Sequence, residues 1–303
     1  MKRYGVVAVL IAVGTLMVIT FALAACAPKT PELGSPEKPL VFVFTPSGVQ
    51  EEVVAGMEKV GALLEEQTGY TIETQLVNSY NAAVEALCGG KSHISHMGSF
   101  PYLIANDKCG VEPAGVFIRY GSDTYGTQIN ARADSGFSSM ADLAGKKPCW
   151  NDPLSASGYI VPQGLLGDAG VLDSLQEPVM VGSHASVISS LYEGDICDFG
   201  ATWIDARGTI EDDHPDVKDV VSVVYTSDNF IPNDMFVFQP NLDETVRQKV
   251  LDALVAIPDT EAGKAAYDQL YQIEGVVPRE DSFFDEFRVI LDASGINIED
   301  LFE

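Results

Sequence analysis

The residues best suited to chemistry in this chain are Asn151-Asp152-Pro153-Leu154-Ser155-Ala156-Ser157-Gly158, directly before the apolar run Tyr159-Ile160-Val161. Proline fixes φ and pushes the preceding residue out of the helical region, so Asp152-Pro153 starts a turn. Ser155 and Ser157 then fall where a helix begins, and serine is a favoured N-cap. The first amides of a helix lack partners and carry the positive end of its dipole. Two hydroxyls and a glycine beside such amides make a pocket for an oxyanion, most naturally a tetrahedral one. The plain alternative, for these eight residues alone, is an ordinary helix cap.

The rest of the chain bounds that chemistry. Its 303 residues are enough for two domains, and a formal net charge of −26 argues against nucleic acid or an anionic membrane surface as partner. An anion site in such a chain must rely on N–H groups and hydroxyls more than on its 18 lysines and arginines. At the N-terminus, Lys2 and Arg3 precede an apolar run from Tyr4 to Ala25, closing in Leu23-Ala24-Ala25-Cys26. That is the layout of a secretory signal over residues 1–25. Its end resembles a bacterial lipobox, which implies cleavage before Cys26 and lipidation of the Cys26 sulfur; a plain transmembrane anchor is the alternative. Residues 26–39, with four prolines, read as a tether, and the remainder is expected outside the cytoplasm, lipid-anchored.

Four cysteines remain, and in an oxidising compartment they suggest two disulfides. Three pairings are possible; Cys88–Cys109 with Cys149–Cys197 keeps each bridge within one proposed lobe. Cys88, His93, His96 and Cys109 also invite a metal reading. However, strand alternation sets His93 and His96 on opposite faces, so no metal is expected.

The elements that must position the opening stretch alternate in type. Leu40–Phe44, residues 71–77 and 93–98 read as strands, with helices between them from Val53 to Leu64 and from Ser79 to Leu87. A further strand runs over residues 116–120. A second set follows: strands at 178–181, 197–200 and 220–225, helices at 157–167 and 187–191, then a crossing back through Pro232 into Met235–Phe238. Residues 243–256, 260–273 and 283–291 carry apolar stripes at helical spacing, which are core. The pattern predicts an α/β fold of two lobes with a ligand cleft between them. The expected division is 40–127 with 231–303 for lobe 1 and 128–230 for lobe 2.

Several stretches together carry a family resemblance. They are Ser79-Tyr80-Asn81, Phe100-Pro101-Tyr102, Tyr125-Gly126-Thr127, Asp152 to Gly158, Gly182-Ser183-His184 and Ile231-Pro232-Asn233-Asp234. In this order the chain resembles the phosphonate, phosphite and phosphate substrate-binding proteins of ABC importers. The resemblance implies a type II periplasmic-binding-protein fold that binds a phosphorus oxyanion and delivers it to permease subunits, as a monomer without cofactor. It implies ligand contacts from Tyr80, Tyr125, Ser155, Ala156, Ser157 and His184. Asp205 and Asp234 match positions that face the ammonium of aminoalkylphosphonates, so a zwitterionic ligand is one expectation. The family commonly has Ser-Thr-Ser-Gly where Ser155-Ala156-Ser157-Gly158 stands here. From the residues alone, Asp205 has a plainer role, pairing with Arg207. Two other functions compete: a serine hydrolase using Ser155 or Ser157 with His184 and Asp205, and an anion binder serving a sensor. The chain order Ser, His, Asp and the lack of a Gly-x-Ser-x-Gly elbow count against the hydrolase.

Overall fold

The computed structural model describes residues 31–47 and 50–293. The apolar run before Cys26, and Cys26 itself, lie outside the described residues. Among the described residues no helix is long and apolar enough to cross a membrane.

Two sheets carry the chain. The first has six strands: β1 (Leu40–Phe44), β2 (Ile72–Leu76), β3 (Ile94–Met97), β4 (Glu112–Ile118), β12 (Met235–Phe238) and β13 (Gly275–Val277), in the order β13-β4-β12-β3-β1-β2. β1 lies parallel to β2 and β3, and β12 returns antiparallel between β3 and β4. The second sheet has five strands: β6 (Thr127–Arg132), β7 (Pro148–Trp150), β8 (Val179–Met180), β9 (Phe199–Trp203) and β10 (Val221–Thr226), in the order β10-β6-β9-β7-β8. Between them the chain passes twice, and the two passages pair as short antiparallel strands, β5 (Thr124–Tyr125) with β11 (Ile231–Pro232).

Local chemistry accounts for the elements. The first helix, Gln50–Thr68, has Glu51 and Glu52 in its first turn, where the dipole favours carboxylates. It buries Val53, Met57, Val60 and Leu64 along one stripe. Gly56 lets it close on the helix Glu261–Tyr271, since a Cβ there would stand 2.6 Å from the Leu270 Cα. Asp243 caps the helix Glu244–Ala256 and Thr260 caps Glu261–Tyr271.

Three departures from the sequence-based expectation have physical causes. β4 starts at Glu112, ahead of residue 116, because a register shift between Gly115, opposite Phe236, and Pro113, opposite Val237, accommodates the proline in the ladder. The tight approach of Val276, 2.3 Å from a Cβ at Gly115, also requires that glycine. Residues 140–146, whose pattern predicts a short helix stopped at Gly145, form only a 3₁₀ turn over Met140–Leu143, closed by a Ser139–Asp142 capping box. The tether is the third departure, because its second half belongs to the globule. Leu33 packs on the first core, Gly34 folds against the Tyr70 ring with φ of 85°, and its carbonyl accepts from the Thr71 N–H at 2.7 Å.

Disulfides join Cys88 to Cys109 and Cys149 to Cys197, across 21 and 48 residues of chain. The first ties the ends of two lobe 1 helices, Tyr80–Cys88 and Ser99–Cys109, and the second lies in the core behind β7. Replacing Cys149 and Cys197 together by serine should therefore lower stability by about 3–4 kcal/mol in denaturant melts, slightly more than loss of the shorter loop. An unchanged midpoint would show that the bridge does not constrain the unfolded chain.

Candidate functional site

The opening motif is built as a cap, with a turn wider than expected. Asp152 Oδ1 accepts from the Leu154 N–H at 2.8 Å, which closes the Asp-Pro turn. Residues Ala156–Ile160 then form one π-helical turn before the α-helix Val161–Asp168. Ser155 is its N-cap, and the Ser155 Oγ accepts from the Gly158 N–H at 3.1 Å. Its proton can still donate, with His184 Nε2 3.4 Å away. The amides of Ala156 and Ser157 are first-turn amides with no acceptor inside the turn.

Around this cap the structure gathers donors. Ser157 is buried and its Oγ has no hydrogen-bond partner among the described residues, although it faces the Tyr125 phenol. His184 is the first residue of the helix His184–Glu193, which Ser183 caps. Its Nε2 lies 3.1 Å from Asn151 Nδ2 and 3.4 Å from Ser155 Oγ. With the Asn151 amide donating to Nε2, the ring proton sits on Nδ1, which has no partner among the described residues. Burial pushes the imidazole down to about 4, so it is a neutral donor at physiological pH. Tyr80 is buried beside Ser47, their hydroxyls 3.2 Å apart.

A second cluster completes the floor. Arg119, just past β4, places Nη1 and Nη2 each 3.1 Å from Asp234 Oδ2, and donates from Nε to the Tyr271 carbonyl at 2.8 Å. His96 is fully buried, stacked on Tyr271, with Nδ1 2.7 Å from Thr45 Oγ1. Its Nε2 is 3.4 Å from Asp234 Oδ2, an ion-pair distance without good hydrogen-bond geometry. Burial pushes the Asp234 carboxyl up, but Arg119 and His96 outweigh it and hold it well below the usual range. The charges of Asp234 and Arg119 are felt at His184 and Tyr125, and that of Asp234 at Tyr80, so these groups share one site.

Not every expected residue joins it. Asp205 is half exposed and bound to Arg207, with contacts of 2.7 and 3.0 Å from Nη2 and Nε. It therefore does not stand with Asp234 as a pair awaiting an ammonium, and it orients no imidazole. Without that orienter the Ser–His–Asp arrangement of a hydrolase is not assembled. The Ala156 side chain belongs to an apolar cluster with Leu154, Ile160, Tyr80 and Phe100, so only its backbone N–H can serve an anion. Arg119, His96, Asn151 and Asp152 were not foreseen in these roles. For Arg119 there was a signal, a lone arginine at the end of an apolar strand in a strongly acidic chain.

An open crevice of about 560 Å³ runs beside the cluster, with Pro46, Gln50 and Asn78 on one lobe and Ser183, Ser186 and Asp213 on the other. Ser155, Ser157, His184 and Arg119 do not line this crevice, so it borders the cluster without forming its floor.

Gly158 is required by contact: a Cβ there would stand 1.9 Å from Asn151 Oδ1 and 3.0 Å from His184 Cε1. Gly158→Ala should displace the Asn151–His184 pair and weaken oxyanion binding by roughly tenfold to a hundredfold, the worth of about 1.5–3 kcal/mol for one charge-assisted bond. Calorimetry showing wild-type affinity would remove His184 from the site. His184 also predicts an acid sensitivity. Its folded value is lowered, so the stability from the neutral ring is complete above the unfolded value of about 6.5 and is lost as pH falls toward 4. His184→Gln should flatten this part of the pH–stability curve, by up to about 3 kcal/mol; a curve of unchanged slope would contradict it.

Comparison with known proteins gives the family. A family profile described as ABC transporter, phosphonate, periplasmic substrate-binding protein matches residues 42–284. The phosphate-import protein PhnD of Mycolicibacterium smegmatis is 27% identical over 287 residues, covering 86% of this chain and 87% of that protein. Two solved structures share the fold. A binding protein of an ABC phosphonate transporter from Pseudomonas aeruginosa aligns with a TM-score of 0.77 at 18% identity, over 87% of this chain and 92% of that one. PhnD1 of Prochlorococcus marinus, in complex with methylphosphonate, aligns with a TM-score of 0.75 at 15% identity, over 88% and 99%. With the two-sheet fold and the profile spanning both sheets, the chain belongs to the phosphonate substrate-binding proteins of ABC transporters, the extracytoplasmic components that hold solute for an importer.

Proposed function

We propose that the protein captures a small tetrahedral phosphorus oxyanion (phosphate, phosphite or methylphosphonate) between its lobes and passes it to the permease of an ABC importer, from a lipid anchor at Cys26. The observation that carries this reading is a pair of buried donors, Ser157 Oγ and His184 Nδ1, without partners among the described residues and beside the Ser155 cap. Arg119 adds charge. A guanidinium has five N–H donors, and with three engaged by Tyr271 and Asp234, two remain. Lobe 1 is read as residues 40–127 and 231–303, lobe 2 as 128–230, and the paired strands β5 and β11 support a hinge there.

The expected aminoalkylphosphonate fits the geometry less well. Both carboxylates that would face its ammonium already hold guanidinium partners, Asp205 with Arg207 and Asp234 with Arg119. A simple anion needs no such cation site.

A thermal-shift panel of phosphate, phosphite, methylphosphonate and 2-aminoethylphosphonate tests this directly. A native-state ligand at a hundred times its dissociation constant adds about 2.7 kcal/mol, and the three simple anions should do so while the amine-bearing one does not. Ser157→Asp should abolish the shift and keep the fold, because a fixed carboxylate at the turn suits the dipole and repels the anion. A wild-type response from that variant, or stabilisation by 2-aminoethylphosphonate alone, would defeat the reading.

A further inference from the structure

We propose that Tyr120 and Gln272, two exposed residues outside the donor cluster, are positioning residues that hold the Arg119 guanidinium in register for the anion. This rests on the oxyanion reading above, in which Arg119 supplies the charge. The observation is backbone strain gathered in one place. Among the described residues only three other than glycine have a positive φ: Tyr120 at 50°, Asp205 at 64° and Gln272 at 56°. Aspartate visits this region readily, because its short side chain can bond locally, whereas tyrosine and glutamine have no such relief. The two strained residues lie 152 positions apart in sequence, yet their side chains meet: the Tyr120 hydroxyl donates to Gln272 Oε1 at 3.1 Å.

Each of them directly follows one member of a contact that serves the site. Arg119 Nε donates to the Tyr271 carbonyl at 2.8 Å, and the next residues in the chain are Tyr120 and Gln272. On the arginine side, Arg119 and Ser122 exchange both backbone hydrogen bonds at 3.0 Å around Tyr120 and Gly121. With φ of 50° and 73° at its centre, this is a type I′ turn, which ordinarily takes asparagine, aspartate or glycine where Tyr120 stands. On the other side, Gln272 stops the helix Glu261–Tyr271 with a left-handed cap that glycine usually fills. The stop leaves the Tyr271 carbonyl at the negative end of the helix, where a guanidinium is favoured. A second tie joins the two turns, since the Gly121 N–H donates to Glu274 Oε2 at 2.8 Å.

Burial does not account for the strain. Tyr120 is 72% exposed and Gln272 is exposed, so neither side chain adds to a core. What the two turns have in common is the Arg119–Tyr271 contact. Arg119 is also the guanidinium bound to Asp234, and its remaining N–H donors can serve an anion only from a fixed position.

Calorimetry with phosphate, run beside thermal melts, tests the proposal in Tyr120→Gly and Gln272→Gly. Glycine adopts the left-handed region without strain and removes no buried surface here, so the unfolding midpoint should not fall. Phosphate affinity should nevertheless drop about tenfold, as expected when one charged donor loses its alignment. Tyr120→Phe keeps the ring and loses only the bond to Gln272, so it should fall between these variants and wild type. A residue that merely supported the fold would lose stability and affinity together. A double-mutant cycle with Arg119→Lys gives a second readout, because lysine keeps the charge but lacks the Nε donor to Tyr271. In that background Tyr120→Gly and Gln272→Gly should weaken phosphate binding no further. Unchanged affinity in both glycine variants, melts that fall in step with affinity, or a full tenfold loss in the Arg119→Lys background would overturn the positioning role and leave the oxyanion site standing. Should Arg119→Lys bind no phosphate, the single variants decide the matter. Failure of the wild-type chain to bind any phosphorus oxyanion would overturn the site itself.

Discussion

A protein of net charge −26 that encloses an anion must solve an electrostatic problem before any other. Desolvating an anion costs far more than any single hydrogen bond returns, unless donors already point at the place where it will sit. The arrangement found here meets this with neutral donors in quantity: two serine hydroxyls, first-turn amides, a neutral imidazole and two phenols. Formal charge is used once, in Arg119, and that charge is matched by Asp234. Left unpaired in the empty cleft, a buried guanidinium would be destabilising. Paired with the carboxylate and fixed by the Tyr271 carbonyl, it stays in place whether or not an anion is present.

The stretch that carries the Ser155 cap also forms the seam between the lobes. Ser155, Ser157 and the amides turn to the polar side, while Leu154, Ala156, Ile160 and Val161 enter an apolar cluster containing Tyr80, Phe100 and Phe284 of the other lobe. Asp152 Oδ2 reaches across to the Tyr80 N–H at 3.2 Å, where it serves the first turn of the helix Tyr80–Cys88. Anion donors and the apolar contact between the lobes thus come from one short segment. The departure from Ser-Thr-Ser-Gly acquires a meaning here. A methyl at position 156 suits the seam, where it joins Leu154, Ile160, Tyr80 and Phe100.

Where proximity is set by β5 and β11, small shifts are held in check. Thr127 Oγ1 donates to the Ser157 carbonyl at 2.6 Å, and the Thr127 N–H donates to Ser227 Oγ at 2.9 Å, so both passages between the lobes touch the turn or its immediate support. Ser99 Oγ donates to the Pro232 carbonyl and anchors the return passage to the helix Ser99–Cys109. The paired passages and the site are consequently one hydrogen-bonded unit.

The sequence by itself determined what depends on near neighbours. The alternation of short apolar runs and helical stripes, the Asp-Pro turn and the Ser155 cap were all legible, since each needs only residues within a few positions. The motif order carried the family for the same reason. Tertiary structure alone decided the partners. The pairing of Asp205 with Arg207, two residues away, was readable locally, whereas Asp234 meets Arg119, 115 residues distant in sequence. His96 could be weighed only as a metal ligand until folding stacked it on Tyr271 and set it beside Asp234. Ala156 stood among polar residues in sequence but turned its methyl to the seam, because a π turn rotates successive side chains to faces that a linear motif does not distinguish. Chain-distant pairing of charges and the facing of side chains across a cleft are properties of the closed fold, and no local spacing encodes them.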